Sequence, residues 1–406
     1  MAKHIVVIGG GPAAVWAAIE AKRRDSTADV TLLTEEASEP YEKPPLSKAV
    51  LLGKANAEDA PIAGKGGLAT HGVVLMTKTT CVAIDRAGRR IVTKAKPLPY
   101  DALVIATGSL MREIALLPPT MPRVHYLRTD ADARALKSDL GQCKNLVVIG
   151  AGLIGLEVAA SATELGVKTV VIELAPRILA RACDDETSEY LLTEHQRRGV
   201  DVRLSRSVTN ASVQSDGRIA LTTSAGDTHV ADLVVVGTGV KPNDALAAEA
   251  GLHVQDGIVV DEQCRTLDPA IFAAGDVTRF PGPHGPVRLE NWRHAQDQGA
   301  VAGRNAAGGA EAYRPVPSFW TEQYDLYVQG VGWPPLHPKR VRRPMPGKSL
   351  LVLETEGPLL SYAVGINAQK DLAAVRRLIE RRIAVDPAAL ADPNFPFAAM
   401  LKAKAS

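Results

Sequence analysis

An apolar run followed at once by glycines opens the chain and predicts a buried strand that leads into a helix. The run is His4–Ile8, and an alanine-rich stretch extends from the glycines to about Arg24. The glycine segment matches the pattern GxGxxA, with Gly9, Gly11 and Ala14 at its defined positions. The first glycine permits a tight turn, the second lets the backbone approach a pyrophosphate, and the small third residue keeps helix and strand close.

A second strand is predicted at Val30–Leu33, and two acidic residues, Glu35 and Glu36, follow it. A carboxylate at the end of this strand accepts hydrogen bonds from the ribose of an adenosine. We favour Glu35 for this position, with Glu36 as the neighbouring candidate.

The same plan recurs in the middle of the chain. The strand Asn145–Ile149 precedes a GxGxxG segment, and the strand Lys168–Ile172 ends at Glu173. The three glycines are Gly150, Gly152 and Gly155. One such loop is weak evidence, because glycine-rich turns also occur for packing reasons. Two loops, each with its helix and its terminal acid, indicate two bound dinucleotides, a flavin and a nicotinamide.

Two further apolar runs, Leu103–Ile105 and Leu233–Val236, each end in a Thr-Gly pair, so the duplication extends beyond the glycine loops. Another run, Ile271–Ala274, leads to Gly275 and Asp276. Asp276 either binds a sugar-like hydroxyl chain or caps the next helix. The spacing alone leaves both interpretations open.

Composition narrows the class of protein. The 406 residues are 46% hydrophobic and carry a formal charge of +2, which predicts several domains and does not indicate a nucleic acid as partner. The apolar opening is too short for a signal peptide, and the chain has no uninterrupted apolar stretch long enough to span a membrane, so we expect a cytoplasmic protein without membrane contact. The four cysteines form no CxxC pair, which argues against a cysteine relay beside the flavin.

Five stretches of the sequence carry a family resemblance. They are Pro40–Lys48, Tyr100–Arg112, Gly150–Glu157, Cys264–Asp276 and Ser318–Asp325. Through them the chain resembles the FAD-dependent, NADH-using ferredoxin and rubredoxin reductases, of the putidaredoxin reductase type, that serve bacterial oxygenases.

The resemblance implies an α/β fold with two Rossmann-like dinucleotide-binding domains, glutathione-reductase-like, and a small α+β C-terminal domain. The FAD domain is expected to be split around the NAD domain. The expected segments are 1–112 for the first FAD part, 113–242 for NAD, 243–323 for the second FAD part and 324–406 for the C-terminal domain.

The resemblance also implies the binding residues for both cofactors. Those expected at FAD are Gly9, Gly11, Pro12, Ala13, Ala14, Glu35, Lys43, Lys48, Val82, Ala106, Thr107, Gly108, Arg112, Gly275, Asp276, Trp292 and Trp320. Those expected at NADH are Gly150, Gly152, Leu153, Ile154, Gly155, Glu173 and Gly239.

Four residues invite closer comparison with the family. Lys48 resembles the lysine beside the flavin ring and Glu157 the acid near the nicotinamide, so the two are expected to pair at the catalytic site; the alternatives are a solvated lysine and an ordinary helix carboxylate. Trp320 either closes over the flavin or belongs to the core. Lys43 stands where the family usually has an arginine, directly before the PPLSK stretch, Pro44–Lys48. A lysine lacks the bidentate geometry of an arginine, which puts the contact of Lys43 with FAD in doubt.

The expected activity is reduction of FAD by NADH and transfer of single electrons to an iron–sulfur protein. An acidic [2Fe–2S] ferredoxin is the first candidate partner and rubredoxin the second. Residues 324–406 hold 12 Lys and Arg against 7 Asp and Glu. A helix predicted from Asp371 to about Ile383 carries Arg376, Arg377, Arg381 and Arg382, which form either a solvated face or a docking surface for that partner.

Two other functions stay open at this point. One is an NADH oxidase or peroxidase, although such enzymes commonly carry a redox cysteine early in the chain, where this sequence has Lys48. The other is a flavoprotein that binds NADH to switch an interaction surface, as in apoptosis-inducing factors.

Overall fold

The computed structural model describes residues 2–402 of the chain. Its helices are α1 Pro12–Arg24, α2 Asp130–Leu140, α3 Leu153–Glu164, α4 Asp185–Arg197, α5 Ala245–Glu249, α6 Trp292–Ala306, α7 Gln369–Glu380, α8 Pro387–Ala391 and α9 Phe397–Lys402. Short 3-10 turns lie at Pro44–Ser47, Ala57–Asp59 and Leu68–His71.

The strands are short and numerous. They are β1 His4–Ile8, β2 Asp29–Leu33, β3 Val74–Met76, β4 Cys81–Asp85, β5 Arg90–Thr93, β6 Leu98–Pro99, β7 Ala102–Ile105, β8 Ser109–Met111, β9 Val124–His125, β10 Asn145–Ile149, β11 Lys168–Ile172, β12 Asp201–Arg203, β13 Val208–Val213, β14 Ile219–Thr223, β15 Thr228–Ala231, β16 Leu233–Val236, β17 Val240–Pro242, β18 Ile258–Val259, β19 Ile271–Ala273, β20 Thr278–Gly282, β21 Gly285–Val287, β22 Ser318–Gln323, β23 Leu326–Gly332, β24 Lys339–Arg343, β25 Leu350–Glu356 and β26 Leu359–Ile366.

The chain forms two compact units. The first holds the residues up to Lys43, Asn56–Leu110 and Val240–Pro315; the second holds Pro44–Ala55, Met111–Gly239 and the residues from Val316 onward. The segment 44–55 thus belongs to the second unit, although its neighbours in sequence belong to the first. The expected division into four cofactor and C-terminal segments stays a prediction.

The first unit is built on a parallel sheet of five strands in the order β19-β7-β1-β2-β3. Such sheets are buried on both faces, which is why β1 and β7 read as continuous apolar runs. An antiparallel sheet, β4-β5-β6, follows β3 along the chain. The helices α1 and α6 pack against each other beside the parallel sheet.

The second unit repeats this plan. Its parallel sheet has the order β12-β11-β10-β16-β9, with β10 and β16 in the places that β1 and β7 take in the first unit. An antiparallel sheet, β13-β14-β15, lies between β12 and β16 in sequence. The duplication read from the glycine loops therefore extends to the sheet topology.

The C-terminal segment, which comprises the described residues from Ser318 onward, adds an antiparallel sheet in the order β22-β23-β26-β25-β24 to the second unit. Helices α7, α8 and α9 cover one face through an apolar cluster that includes Leu351, Leu372 and Leu378. Buried apolar surface of this kind is the main stabilising term for a sheet with one covered face.

Helix α7 corrects one expectation, because it ends at Glu380 and does not continue to Ile383. Arg382 adopts a left-handed conformation with φ of 52°. Its amide donates to Ile379 and the amide of Ile383 donates to Leu378, which is the hydrogen-bond pattern that closes a helix. Ile383 still reaches the apolar cluster from beyond the helix end.

Candidate functional site

The first glycine loop leaves open space above the first turn of α1. Gly9 has φ of 137°, and a Cβ there would lie 2.1 Å from the carbonyl oxygen of Ala106. A Cβ on Gly11 would meet no atom within 4 Å. Gly11 is also the N-cap of α1, and no side chain caps the helix. Uncapped amides beneath open space suit a pyrophosphate, so the loop fits the pyrophosphate of FAD.

Asp276 lies beside this loop. The preceding residue, Gly275, has φ of 85°, and a Cβ there would lie 2.8 Å from the Cβ of Ala13. Asp276 accepts a hydrogen bond of 3.1 Å from the hydroxyl of Ser109. The chain then enters the strand β20 and not a helix, so the interpretation of Asp276 as a helix cap is wrong. Helix α6 begins later and is capped by Asn291.

The two acids after β2 have different surroundings. Glu35 is exposed. Glu36 accepts hydrogen bonds from the Tyr41 hydroxyl at 2.5 Å and from Lys43 Nζ at 3.0 Å. Lys43 thus pairs with the carboxylate of Glu36. Glu35 is not part of this ion pair, so its carboxylate is accessible to a ribose.

The remaining residues expected at FAD are distributed over both units. Thr107 donates from its hydroxyl to the carbonyl of Asn243 at 2.7 Å. Trp292 begins α6 and donates from its indole to Glu42, whose pKa burial raises. Val82 is 44% exposed on β4. The first unit contains these residues with Ala106 and Gly108, whereas Lys48, Arg112 and Trp320 belong to the second.

The second glycine loop has the same open geometry at its middle glycine. A Cβ on Gly150 would lie 2.5 Å from the carbonyl oxygen of Gly237, and one on Gly155 would lie 2.1 Å from that of Gly150. A Cβ on Gly152 would meet nothing within 4 Å. The first turn of α3, which begins at Leu153, is likewise not capped by a side chain. The loop fits the pyrophosphate of NADH for the same physical reason as the first loop fits FAD.

Glu173 is anchored beside this loop. One carboxylate oxygen accepts from the amide of Ala151 at 2.6 Å and the other from the amide of Ala175 at 2.7 Å. Arg177 lies nearby but donates to the carbonyls of Cys183 and Ala180 at 2.6 and 2.9 Å. The Arg177 guanidinium is therefore held by protein oxygens.

The other residues expected at NADH lie near this loop or in its helix. Ile154 is 39% exposed in the first turn of α3. Gly239 has φ of 98° and follows β16, the strand next to β10. Its carbonyl accepts from the amide of Arg112 at 3.0 Å, which brings one residue expected at each cofactor into contact.

The expected pair of Lys48 and Glu157 is present. Lys48 Nζ lies 3.3 Å from Glu157 Oε1, and the side chains are 17% and 7% exposed. Glu157 lies on α3, and Lys48 follows the 3-10 turn of the PPLSK stretch. The alternative of a solvated surface lysine does not fit this burial, whereas Glu157 does lie on a helix, and its role near the nicotinamide stays a prediction.

Two hydroxyl groups that sequence analysis did not single out complete the surroundings of Glu157. The hydroxyl of Ser47 donates to Glu157 Oε2, and that of Thr321 donates to Oε1 at 2.6 Å. Both residues lie within the family-like stretches, Ser47 next to Lys48 and Thr321 next to Trp320. Their place in those stretches is the one signal that would have pointed to them.

Trp320 is half-buried on β22, where it pairs with Gln329. Successive side chains of a strand point to opposite faces, so Trp320 lies on the face opposite to Thr321. Its exposure is compatible with both interpretations, and its role at the flavin stays a prediction.

The four cysteines are free thiols. Burial raises the pKa of Cys81 and of Cys143 to about 11 and that of Cys183 to about 12, and it raises the pKa of Cys264 further. The thiolate is the reactive form, so these cysteines are unreactive at neutral pH.

Among residues 2–402, no group of three or more His, Cys, Asp or Glu side chains is arranged to hold a metal ion. Within the same range, no helix is both long and apolar enough to cross a membrane.

Comparison with protein families gives two matches that together span most of the chain. A model described as pyridine nucleotide-disulphide oxidoreductase matches residues 3–299, and one described as reductase C-terminal matches residues 318–401.

Two curated relatives are similar over nearly their whole length. The rhodocoxin reductase of Rhodococcus erythropolis is 38% identical over 96% of this chain and 92% of its own. The ferredoxin–NAD(+) reductase component of the anthranilate 1,2-dioxygenase system of Burkholderia cepacia is 37% identical over 97% and 98%.

Two solved structures of reductases have the same fold as this chain. The ferredoxin reductase for the CYP199A2 system from Rhodopseudomonas palustris superposes with a TM-score of 0.92 at 31% identity, covering 98% of this chain and 99% of that one. Putidaredoxin reductase in its covalent complex with putidaredoxin gives 0.94 at 30%, covering 100% and 99%. These likenesses confirm the expected fold class and the expected enzyme class, an oxidoreductase that uses FAD and NADH.

Proposed function

Because the chain belongs to the pyridine nucleotide-disulphide oxidoreductase family, we propose that it is the NADH-dependent reductase of an oxygenase system and delivers electrons to a ferredoxin. The observation that carries the proposal is similarity over the whole chain, C-terminal segment included, to proteins named as ferredoxin–NAD(+) reductase components. A water-forming NADH oxidase from Lactobacillus brevis shares the fold at 21% identity and a TM-score of 0.87, which supports nothing beyond the fold.

The first glycine loop holds FAD and the second holds NADH in this proposal. Amides at the start of α1 and α3 bind the two pyrophosphates, and Glu35 and Glu173 bind the two adenosine riboses. Asp276, fixed by Ser109, takes the ribityl hydroxyls of FAD. Bound FAD supplies the conversion between a hydride, which carries two electrons, and the single electrons that an iron–sulfur protein accepts.

In this proposal, Lys48 and Glu157 form the charged pair of the catalytic site. The Lys48 ammonium stabilises negative charge that develops nearby, and it pairs with Glu157 at 3.3 Å. Replacement of Lys48 by Met removes the charge and keeps the length of the side chain. We expect the rate of flavin reduction by NADH to fall about tenfold or more in this variant, since charge stabilisation of this kind is worth several kcal/mol.

The proposed partner is a small acidic [2Fe–2S] ferredoxin, with rubredoxin second. Three arginines of the C-terminal segment, Arg377, Arg381 and Arg382, are exposed. Arg376 is half-buried and paired with Glu380 at 2.8 Å, so it contributes less to an outward positive potential. A positive surface of this kind accelerates the encounter with an acidic protein.

Stopped-flow measurement of both half-reactions across a salt series tests the proposal. Reduction of the ferredoxin should slow as ionic strength rises, because a Debye length of about 8 Å near physiological salt screens the attraction. Reduction of the flavin by NADH should change much less. The docking proposal fails if the two half-reactions respond alike, or if R377E/R381E/R382E leaves ferredoxin reduction unchanged. Slow turnover with every iron–sulfur acceptor would contradict the reductase assignment itself.

A further inference from the structure

Thr321 is buried beside the Lys48–Glu157 pair and makes the shorter contact with it. Its hydroxyl lies 2.6 Å from Glu157 Oε1, whereas Lys48 Nζ lies 3.3 Å from the same oxygen. The other oxygen, Oε2, accepts from Ser47. Without Thr321, the Oε1 side of the carboxylate would keep only the longer contact with Lys48. The terminal torsion of a glutamate is broad and soft, so the carboxylate would then rotate.

A chain of hydrogen bonds continues from Thr321 to a buried histidine. Gln323 Nε2 donates to Thr321 Oγ1 at 3.2 Å, and Gln323 Oε1 lies 2.8 Å from His195 Nε2. The hydroxyl of Tyr324 lies 3.1 Å from His195 Nδ1. Burial lowers the pKa of His195, so its ring is neutral and carries one hydrogen.

The carboxylate fixes the direction of every bond in this chain. A carboxylate only accepts, so the Thr321 hydroxyl hydrogen points to Glu157 and the same oxygen accepts from the Gln323 amide. The Gln323 carbonyl oxygen therefore faces His195, whose Nε2 carries the hydrogen, and Nδ1 accepts from Tyr324. All the donors point toward Glu157, and hydrogen bonds aligned in this way strengthen one another.

We infer that Thr321 is a positioning residue that orients Glu157 so that Lys48 stays in place, with Gln323 and His195 holding Thr321 in turn. The inference rests on the proposed role of the Lys48–Glu157 pair in the reduction of FAD by NADH. It assigns a function in the first half-reaction to the β22 strand of the C-terminal segment.

The test is the limiting rate of flavin reduction by NADH in anaerobic stopped-flow, with no iron–sulfur protein present. Thr321→Val keeps the shape of the side chain and removes the donor, and we expect the limiting rate to fall about tenfold at an unchanged Kd for NADH, as for the loss of one hydrogen bond to a charged group. Thr321→Ser keeps the hydroxyl and should return the rate to within about twofold of the original. Gln323→Leu should lower the rate by a smaller factor than Thr321→Val.

Thr355→Val is the matched control. Thr355 is equally buried in the same antiparallel sheet, and its hydroxyl lies 3.4 Å from the carbonyl of Lys339, away from Glu157. This variant should leave the limiting rate unchanged. A Thr321→Val protein that loses stability as Thr355→Val does, but keeps its limiting rate, would show that Thr321 is only structural.

A double-mutant comparison separates this inference from the proposed function. In a Glu157→Gln background, Thr321→Val should change the limiting rate by less than about twofold, because the group that it orients is altered. An independent tenfold loss in that background would overturn the inference. Since the assay contains no acceptor, a failure of the ferredoxin proposal would leave these results unaffected. If Glu157→Gln itself did not slow flavin reduction, both the role of the pair and the inference would fall.

Discussion

The two glycine loops share one local plan but serve helices with different neighbours. In the first unit, α1 packs along α6 through backbone-to-backbone contact. A Cβ on Gly299 would lie 2.3 Å from the carbonyl oxygen of Ala13, and one on Gly303 would lie 2.0 Å from that of Ala17. This contact leaves no room for a larger side chain where α6 meets α1.

In the second unit, α3 packs against the PPLSK turn and the strand β22. It buries Glu157 there, among Ser47, Lys48 and Thr321. The comparison shows that a glycine loop specifies where a dinucleotide binds, whereas the neighbours of the following helix decide whether that helix also contributes a charged group.

The acids that follow the strands β2 and β11, Glu35 and Glu173, also have different surroundings. Glu35 is exposed, whereas both oxygens of Glu173 accept from backbone amides. The second loop is therefore held in shape by its own acid and the first is not.

The largest expected effect concerns the close packing of α1 and α6. An alanine normally stabilises a helix by about 1 kcal/mol relative to glycine. At Gly303 the clash with Ala17 outweighs that gain, and we expect Gly303→Ala to destabilise the protein by about 1–3 kcal/mol. Thermal unfolding and the FAD content of the purified protein measure the effect.

Gly141→Ala serves as its control, because Gly141 ends α2 with φ of −62° and a Cβ there would have its nearest neighbour at 3.4 Å. Its stability should be unchanged or slightly higher. If Gly303→Ala were equally stable, the contrast between the helices α1 and α3 would lose its physical basis.

A smaller effect, on the kcat/KM for NADH, distinguishes Glu173 from Glu35. Glutamine has one acceptor oxygen and an amide donor, so Glu173→Gln sets a donor against a backbone N–H and disturbs the loop. We expect kcat/KM for NADH to fall about tenfold, as for loss of a hydrogen bond to a charged group. Steady-state kinetics measure this loss.

Glu35→Gln is the matched variant in the first loop. It should leave kcat/KM for NADH unchanged and only loosen FAD, which the fluorescence of released FAD reports. An equal loss of NADH efficiency in both variants would contradict the assignment of one loop to each cofactor.

The smallest expected effect concerns the cysteines, because we expect neither unit to use a thiol in electron transfer. The raised pKa values, about 11 for Cys81 and Cys143, mean that the thiolate becomes populated only as pH rises toward 11. Iodoacetamide at pH 8 should therefore leave turnover unchanged, and alkylation should speed up about tenfold per pH unit above that. Rapid inactivation at pH 8, with Cys81 labelled, would reopen the oxidase alternative.

The sequence alone determined the paired architecture. The strands β1, β10, β11 and β16 begin and end where the apolar runs predict, because polar residues or glycines bound each run. The glycine loops were equally readable, since their geometry depends on residues next to one another. The end of α7 could not be read from the sequence, because the apolar periodicity continues to Ile383 while the backbone turns left-handed at Arg382.

Resemblance to a family supplied Lys48 and Glu157, yet it did not supply their surroundings. Ser47 and Thr321 lie 110 and 164 residues from Glu157 in the sequence and meet it only in the folded second unit. A hydrogen bond between such distant residues leaves no local periodicity, and Ser and Thr are common in many other settings. Tertiary structure alone decided which hydroxyl groups reach the buried carboxylate, because that choice depends on how the PPLSK turn and β22 pack against α3.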